Sequence, residues 1–198
     1  MMKRGKLWIV SGPSGVGKST VLKELFARRK NICFSVSATT RPPRDGERNG
    51  ADYYFLSAEE FRDRIARDEF LEYAEYIGNF YGTPKKYAYQ EMDAGRDVIL
   101  DIEIQGAEQV KKRCPEAVAV FIAPPSREEL ERRLLKRGTD DMEKIRGRLE
   151  RAKIELKAAK AYDYILLNRD LRETVENLNA IFTAESCKAA DFPDDFWK

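Results

Sequence analysis

The feature that most constrains this chain is the octapeptide Gly12-Pro-Ser-Gly-Val-Gly-Lys-Ser19, which fits the pattern G-x-x-x-x-G-K-[ST]. It follows Lys6-Leu-Trp-Ile-Val-Ser11, a short apolar run that reads as a buried strand. It precedes a segment in which Val21, Leu22, Leu25 and Phe26 recur at helical spacing. Strand, glycine-rich turn and helix in that order make a cradle for phosphate. Glycines let the backbone curl so that successive N–H groups face inward, and the following helix points its N-terminal dipole at the same anion. Gly12, Pro13, Ser14, Gly15, Val16, Gly17, Lys18, Ser19 and Thr20 are therefore expected to hold the phosphates of a nucleoside triphosphate. Lys18 reaches the β- and γ-phosphates in this pattern, and the Ser19 hydroxyl ligates Mg²⁺.

The remaining elements follow from periodicity. Arg96 to Ile102 and Ala117 to Ala123 read as further buried strands, with a helix over Gly106 to Arg113 between them and Pro115 closing it. The first of these strands ends in Asp101, with Glu103 close behind, where a carboxylate can hold Mg²⁺ through water. The alternative is a strand-end acid that only caps the next helix. Ser126-Arg-Glu-Glu129 has capping-box spacing and opens a helix through Lys136. A charged helical stretch from Asp140 to Tyr162, a strand at Tyr164 to Leu167 and a helix from Leu171 to Ala184 complete the series. Strands alternating with helices predict an α/β fold, a P-loop NTPase-type parallel sheet flanked by helices on both faces. From Ser35 to about Lys86 the alternation breaks. Short strand-like pieces (Tyr53 to Phe55, Phe70 to Tyr76) surround one capped helix that begins at Ser57-Ala-Glu-Glu60, which reads as a small inserted α+β unit.

Composition narrows the chemistry. The chain has no histidine, which removes Ser-His-Asp and Cys-His catalysis and every His-based metal site. Cys33, Cys114 and Cys187 are odd in number and far apart, so they read as reduced thiols. Lys and Arg number 36 against 34 Asp and Glu, a balance that predicts no nucleic-acid partner. No apolar run approaches the roughly 18 residues of a membrane span, and the apolar patch after the basic start is too short for a signal-peptide core. The expectation is a cytoplasmic protein with no membrane partner; its oligomeric state stays open, self-association included. Asp191-Phe-Pro-Asp-Asp-Phe-Trp197 at the end is acidic and aromatic, suited to docking on the core or a neighbouring subunit or to fraying.

What else the chain binds turns on the insertion, where Arg41 and Arg44 flank Pro42-Pro43 and offer two fork-shaped anion donors in a stiff loop. Tyr53 and Tyr81 add hydroxyls. A guanine-reading Asn-Lys-x-Asp motif is missing, which argues against a GTPase. Gly12 to Thr20, Ser37-Ala-Thr-Thr-Arg-Pro-Pro-Arg-Asp-Gly-Glu47, Gly50-Ala-Asp-Tyr-Tyr-Phe55 and Glu69-Phe-Leu-Glu72 resemble guanylate kinases. So do Gly78-Asn-Phe-Tyr-Gly-Thr83, Ile99-Leu-Asp-Ile-Glu-Ile-Gln-Gly106 and Phe121-Ile-Ala-Pro-Pro-Ser126. The likeness runs in order over roughly residues 5 to 185.

The resemblance implies a core that binds ATP (1–34, 98–126 and 150–198), an inserted GMP-binding unit (35–97) and a helical lid (127–149). It implies phosphoryl transfer from ATP to GMP or dGMP with Mg²⁺, within purine nucleotide metabolism. Carried over by position, Arg41, Arg44, Tyr53 and Tyr81 hold the GMP phosphate, and Ser37, Glu72 and Thr83 read the base. Asp101 and Glu103 face substrate and Mg²⁺, and Arg133, Arg137 and Arg148 are the lid arginines. The base assignment has independent chemical sense: guanine presents N1–H and N2–H donors side by side, which one carboxylate accepts, and an O6 acceptor that suits hydroxyl donors. Lys18 and the arginines screen charge in the transfer, and no general base is required. Arg132, Arg146 and Arg151 read as surface. Glu103 stands where Asp is common in the family, Thr83 replaces a serine, and Arg169 sits where an acid is expected beside adenine. Two other readings remain: a catalytically silent kinase-like binding module, and a kinase of sugar bisphosphates on the same scaffold.

Overall fold

The computed structural model describes residues 4–76, 78–136 and 141–192. In chain order they form β1 (Leu7–Ser11), α1 (Lys18–Arg28), β2 (Ile32–Phe34), β3 (Ala38–Thr39), β4 (Tyr54–Phe55) and α2 (Ala58–Ala66). Then come β5 (Phe70–Tyr76), β6 (Asn79–Pro84), α3 (Lys85–Asp93), β7 (Asp97–Asp101) and α4 (Ile104–Arg113). The last part holds β8 (Val118–Ala123), α5 (Arg127–Lys136), α6 (Met142–Ala158), β9 (Tyr164–Leu167) and α7 (Leu171–Ser186). The expected helix start at Asp140 lies outside the described residues.

The α/β expectation holds. Five parallel strands run in the order β2-β7-β1-β8-β9. Every residue of β1 and β8 is buried, as a parallel strand covered on both faces requires. The strand period of two sorts β1 cleanly. Trp8 and Val10 pack with Val21, Leu22 and Leu25 of α1 and with Val175, Leu178 and Phe182 of α7. Leu7 and Ile9 point to the other face, against Ala88 and Met92 of α3 and Ala107 and Val110 of α4. Trp8 stacks on Phe182 with ring centroids 3.5 Å apart.

The insertion is a second sheet in the order β4-β3-β6-β5. Its core is aromatic: Phe61 of α2 stacks on Phe70 at 4.4 Å and on Phe80 at 5.4 Å. Gly82 is required here, because a Cβ would stand 3.1 Å from both the Phe61 and Phe70 rings. The capping box that opens α2 is complete, with Glu60 N–H donating to Ser57 Oγ and Ser57 N–H to Glu60 Oε2. Helix α3, which periodicity did not single out, lays Ala88 and Met92 on the core sheet beside β7. Helices α5 and α6 form their own apolar seam through Leu130, Leu134, Ile145, Leu149 and Ala152.

The cysteines are free, and burial, with help from Glu91, pushes the Cys33 thiol up to about 11, an unreactive protonated state. Of the acidic-aromatic end, Asp191 pairs with Lys6 at 2.5 Å, and residues 193–198 lie outside the described residues. Among the described residues no helix is long and apolar enough to cross a membrane. Phe182 joins α7 to the sheet through Trp8, so Phe182→Ala should lower unfolding free energy by about 3–5 kcal/mol. Urea unfolding followed by circular dichroism measures this, and a loss near zero would show that the stack does not hold α7.

Candidate active site

Strands β1 and β7 run side by side with Val10 opposite Asp101, so the loop after β1 and the acid that ends β7 emerge together. Gly15 and Gly17 in that loop adopt φ of +87° and +97°, a conformation that favours glycine. Space forbids a side chain as well: a Cβ on Gly17 would lie 2.8 Å from Asn168 Nδ2, and one on Gly15 2.7 Å from Leu134 Cδ2. Helix α1 begins at Lys18 with no side-chain cap, leaving its N-terminal dipole for a ligand. Lys18 Nζ lies 2.5 Å from Asp101 Oδ1. Residues 12–15 and 17–20 line a cleft of about 560 Å³ together with Tyr76, Glu103, Ile104, Arg133, Arg148, Arg151 and Glu155.

Two of the arginines expected in a lid reach this cleft. Arg133 donates from Nε to Glu129 Oε1 (2.7 Å), from Nη1 to the Val16 carbonyl (2.8 Å) and from Nη2 to the Asn168 carbonyl (2.9 Å). Arg148 Nη1 donates to Ser14 Oγ at 2.8 Å. Arg137 lies outside the described residues. Arg132 and Arg133 together hold the Glu129 carboxyl down at about 2. Glu103 occupies the N-cap position of α4, yet its side chain does not cap. It turns into the cleft and takes Arg151 Nη2 at 2.5 Å, while Arg151 Nε donates to Glu155 at 3.1 Å. Arg151, expected on the open surface, is thus part of the cleft wall.

A second cleft of about 290 Å³ is lined by Ser37, Tyr53, Thr83 and Asp101 among others. Asp101 lines this cleft and Lys18 the first, so their ion pair stands between the two. Arg41 is anchored by Glu47: its Nη2 donates to both carboxylate oxygens at 2.8 and 2.9 Å. Its guanidinium lies over the Tyr53 and Phe55 rings, and Tyr81 meets Tyr53 edge-on at 6.3 Å. The Arg44 backbone N–H, then the Arg41 side chain, hold the Glu47 carboxyl below its usual range. Arg44 itself is exposed on the loop.

Glu72 is only 7% exposed, and Thr83 Oγ1, across the β5–β6 pair, donates to its Oε1 at 2.6 Å. A register shift between Phe70 and Glu72 sets the aim of these residues. Phe70 enters the aromatic core of the insertion, and Leu71 the core beneath the main sheet. Burial pushes the Glu72 carboxyl above its usual range, and the Thr83 hydroxyl only partly offsets this. A nearly buried glutamate that faces a hydroxyl instead of a cation is uncommon unless a ligand completes it.

Sequence reasoning missed Asn168, Glu47 and Glu155. Asn168 follows β9; its Nδ2 donates to the Val16 carbonyl at 2.8 Å and its Oδ1 accepts from Thr174 at 3.1 Å. Its signal was position, since parallel sheets gather their sites at the carboxyl ends of strands. For Mg²⁺, the candidate donors are hard oxygens: the Ser19 hydroxyl on the first turn of α1 and the Asp101 carboxylate, which pairs with the neighbouring Lys18. Among the described residues no group of three or more carboxylates or thiols forms a cage for a metal.

Glu72 also generates a stability prediction. Between the ordinary carboxyl value of 4.5 and its raised folded value, the folded chain binds more protons than the unfolded one. Stability from this group therefore falls as pH rises through that window. Glu72→Gln should melt higher than the wild type at pH 7, with the gap closing at about pH 4. A melting-temperature series across pH measures it, and an unchanged gap at all pH values would contradict the burial cost.

The Guanylate kinase family model matches residues 4–185. A guanylate kinase of Carboxydothermus hydrogenoformans is 51% identical over 187 residues, 94% of this chain and 92% of that protein. One of Clostridium tetani is 48% identical over 193 residues, covering 98% of this chain and 92% of the other. The crystal structure of guanylate kinase from Anaplasma phagocytophilum superposes with a TM-score of 0.73 at 38% identity, covering 96% of this chain and 90% of that one. A family match from the phosphate loop to α7, near-complete mutual coverage and a shared architecture agree with the two-cleft geometry, and the chain belongs to the guanylate kinase family.

Proposed function

We propose that this chain transfers the γ-phosphoryl group of ATP to GMP, and to dGMP, giving ADP and GDP or dGDP. The observation that carries this reading is the buried Glu72–Thr83 pair beside a cleft whose wall includes Asp101, the ion partner of Lys18 in the phosphate loop. An ionised Glu72, held by the Thr83 hydroxyl, accepts guanine N1–H and N2–H, while the Ser37 hydroxyl donates to O6. Adenine reverses that edge and would set an N1 lone pair against the carboxylate, a mismatch of the kind that discriminates by about 10⁴–10⁵.

Arg41, Arg44, Tyr53 and Tyr81 would hold the acceptor phosphate, with Glu47 keeping Arg41 in its place through two hydrogen bonds. Residues 12–20 would hold the ATP phosphates, and Lys18 would leave or share Asp101 to follow the β- and γ-oxygens. The acceptor oxygen is already anionic, so in-line transfer needs alignment and positive charge more than a base. Arg133, Arg137 and Arg148 supply charge from the lid (127–149) as it closes over the core (1–34, 98–126, 150–198) and the inserted unit (35–97). Closure also excludes water that would otherwise hydrolyse ATP. Ser19, and Asp101 through water, would hold Mg²⁺, which when bound neutralises charge between the β- and γ-phosphates. The cytoplasm is the proposed site of action.

An ADP-release assay with Mg·ATP tests the reading against GMP, dGMP, AMP, CMP, UMP and ribose 1,5-bisphosphate. Turnover confined to GMP and dGMP is expected; turnover on the sugar bisphosphate, or none with any acceptor, would overturn it. Lys18→Ala should lower kcat by about 10²–10³, roughly 3–4 kcal/mol, as the loss of one preorganised charge donor does. Near-normal turnover would remove Lys18 from the mechanism.

A further inference from the structure

Helix α4 starts three residues after Asp101 and belongs by sequence to the core, yet its first turns lie against β5 of the insertion. Gly106, buried in its first turn, abuts the Glu72 carboxylate: a Cβ built there would stand 2.9 Å from Oε2 and 3.4 Å from Cγ. Gly106 is helical, so its small size answers to this contact and not to backbone strain. Three residues on, along the same face of α4, Gln109 pairs with the residue beside Glu72. Gln109 Oε1 accepts from the Tyr73 N–H at 3.2 Å, and Gln109 Nε2 donates to the Tyr73 carbonyl at 2.9 Å. Strand β5 is at the edge of its sheet, with β6 as its one strand neighbour. The Gln109 amide thus supplies on the open side the donor and acceptor that another strand would supply.

We propose that Gly106 and Gln109 are positioning residues for acceptor recognition: Gln109 locks the β5 backbone to α4, and Gly106 leaves the space in which the Glu72 carboxylate stands. This rests on the reading of Glu72 as the guanine acceptor. Three contacts then fix that carboxylate: Thr83 on Oε1, Gly106 against Oε2 and Gln109 on the adjoining peptide. The atoms nearest a Cβ built at Gly106 all belong to Glu72, none to Asp101 or Glu103. Displacing a positioned group by about 1 Å costs on the order of 100-fold in such sites. A side chain at position 106 should therefore weaken GMP recognition and leave ATP recognition alone.

The test measures KM for GMP and for ATP separately, with kcat, in Gly106→Ala, Gln109→Met, Glu72→Ala and the Gly106→Ala/Glu72→Ala double variant. Gly106→Ala is expected to raise KM for GMP about 10- to 100-fold, and Gln109→Met by a smaller factor, with KM for ATP within about twofold of wild type. In the Glu72→Ala background, Gly106→Ala should add no more than about a further twofold, because the group it acts through is gone. Should Gly106→Ala not fold, Gln109→Met decides, since it keeps the side-chain size and removes only the paired hydrogen bonds. A GMP KM unchanged in Gly106→Ala and Gln109→Met while Glu72→Ala raises it overturns this inference alone. So does an equal rise for both substrates, or full additivity in the double variant. A GMP kcat/KM unchanged in Glu72→Ala overturns the guanine reading and this inference with it.

Discussion

Strands β1 and β7 lie side by side in parallel with Val10 opposite Asp101, and that register brings the phosphate loop and the acidic strand end to one place. A parallel pair needs both faces covered, and β1 meets this by sending Trp8 and Val10 to one helical layer and Leu7 and Ile9 to the other. The strand is then too well packed to slide: a one-residue slip would exchange its two faces. The loop inherits this rigidity. Arg133 and Asn168 both bond the Val16 carbonyl, so the turn is held from outside before any phosphate arrives. Such preorganisation would let the loop's backbone amides meet a charged ligand without rearranging, while Lys18 would have to leave or share Asp101.

The second cleft follows a different rule. Where the core removes polarity, the insertion buries an acid, Glu72, and sets it against the Thr83 hydroxyl and backbone N–H instead of a cation. That arrangement costs stability whenever the carboxyl is ionised, and it makes sense if guanine completes the hydrogen bonding that the fold leaves short. Arg41 shows the opposite strategy: its charge is already matched by Glu47, and the aromatic faces of Tyr53 and Phe55 hold its plane. The Lys18–Asp101 pair sits between the clefts, where donor and acceptor phosphates would meet.

Much of this was legible in the sequence because it is written locally. The glycine-rich turn between an apolar strand and a helix, the capping box at Ser57 and the alternation of strands and helices are all short-range patterns. Helix α3 escaped notice because its buried contacts come down to Ala88 and Met92 among polar and aromatic residues, a weak periodic signal next to the tyrosine-rich insertion. The partners of Asn168, and Arg151 as a cleft residue, were not legible for another reason. The residues these two bond, Val16 and Glu103, lie 152 and 48 residues away, and only the closed sheet and the α4–α6 approach bring them together. Glu72 was readable as a residue but not as a buried one, since the register shift between Phe70 and Glu72 breaks the simple alternation of faces.

In the proposed reaction, one buried carboxylate at the side of the second cleft, that of Glu72, decides which nucleotide is phosphorylated. The most direct measurement is the ratio of kcat/KM for GMP to that for AMP, in the wild type and in Glu72→Gln, under saturating Mg·ATP. The account predicts a wild-type ratio of about 10⁴ or more, falling by at least about 100-fold in the variant while KM for ATP holds steady. A ratio unchanged by the substitution would show that guanine is read elsewhere, and that the burial of Glu72 serves the fold alone.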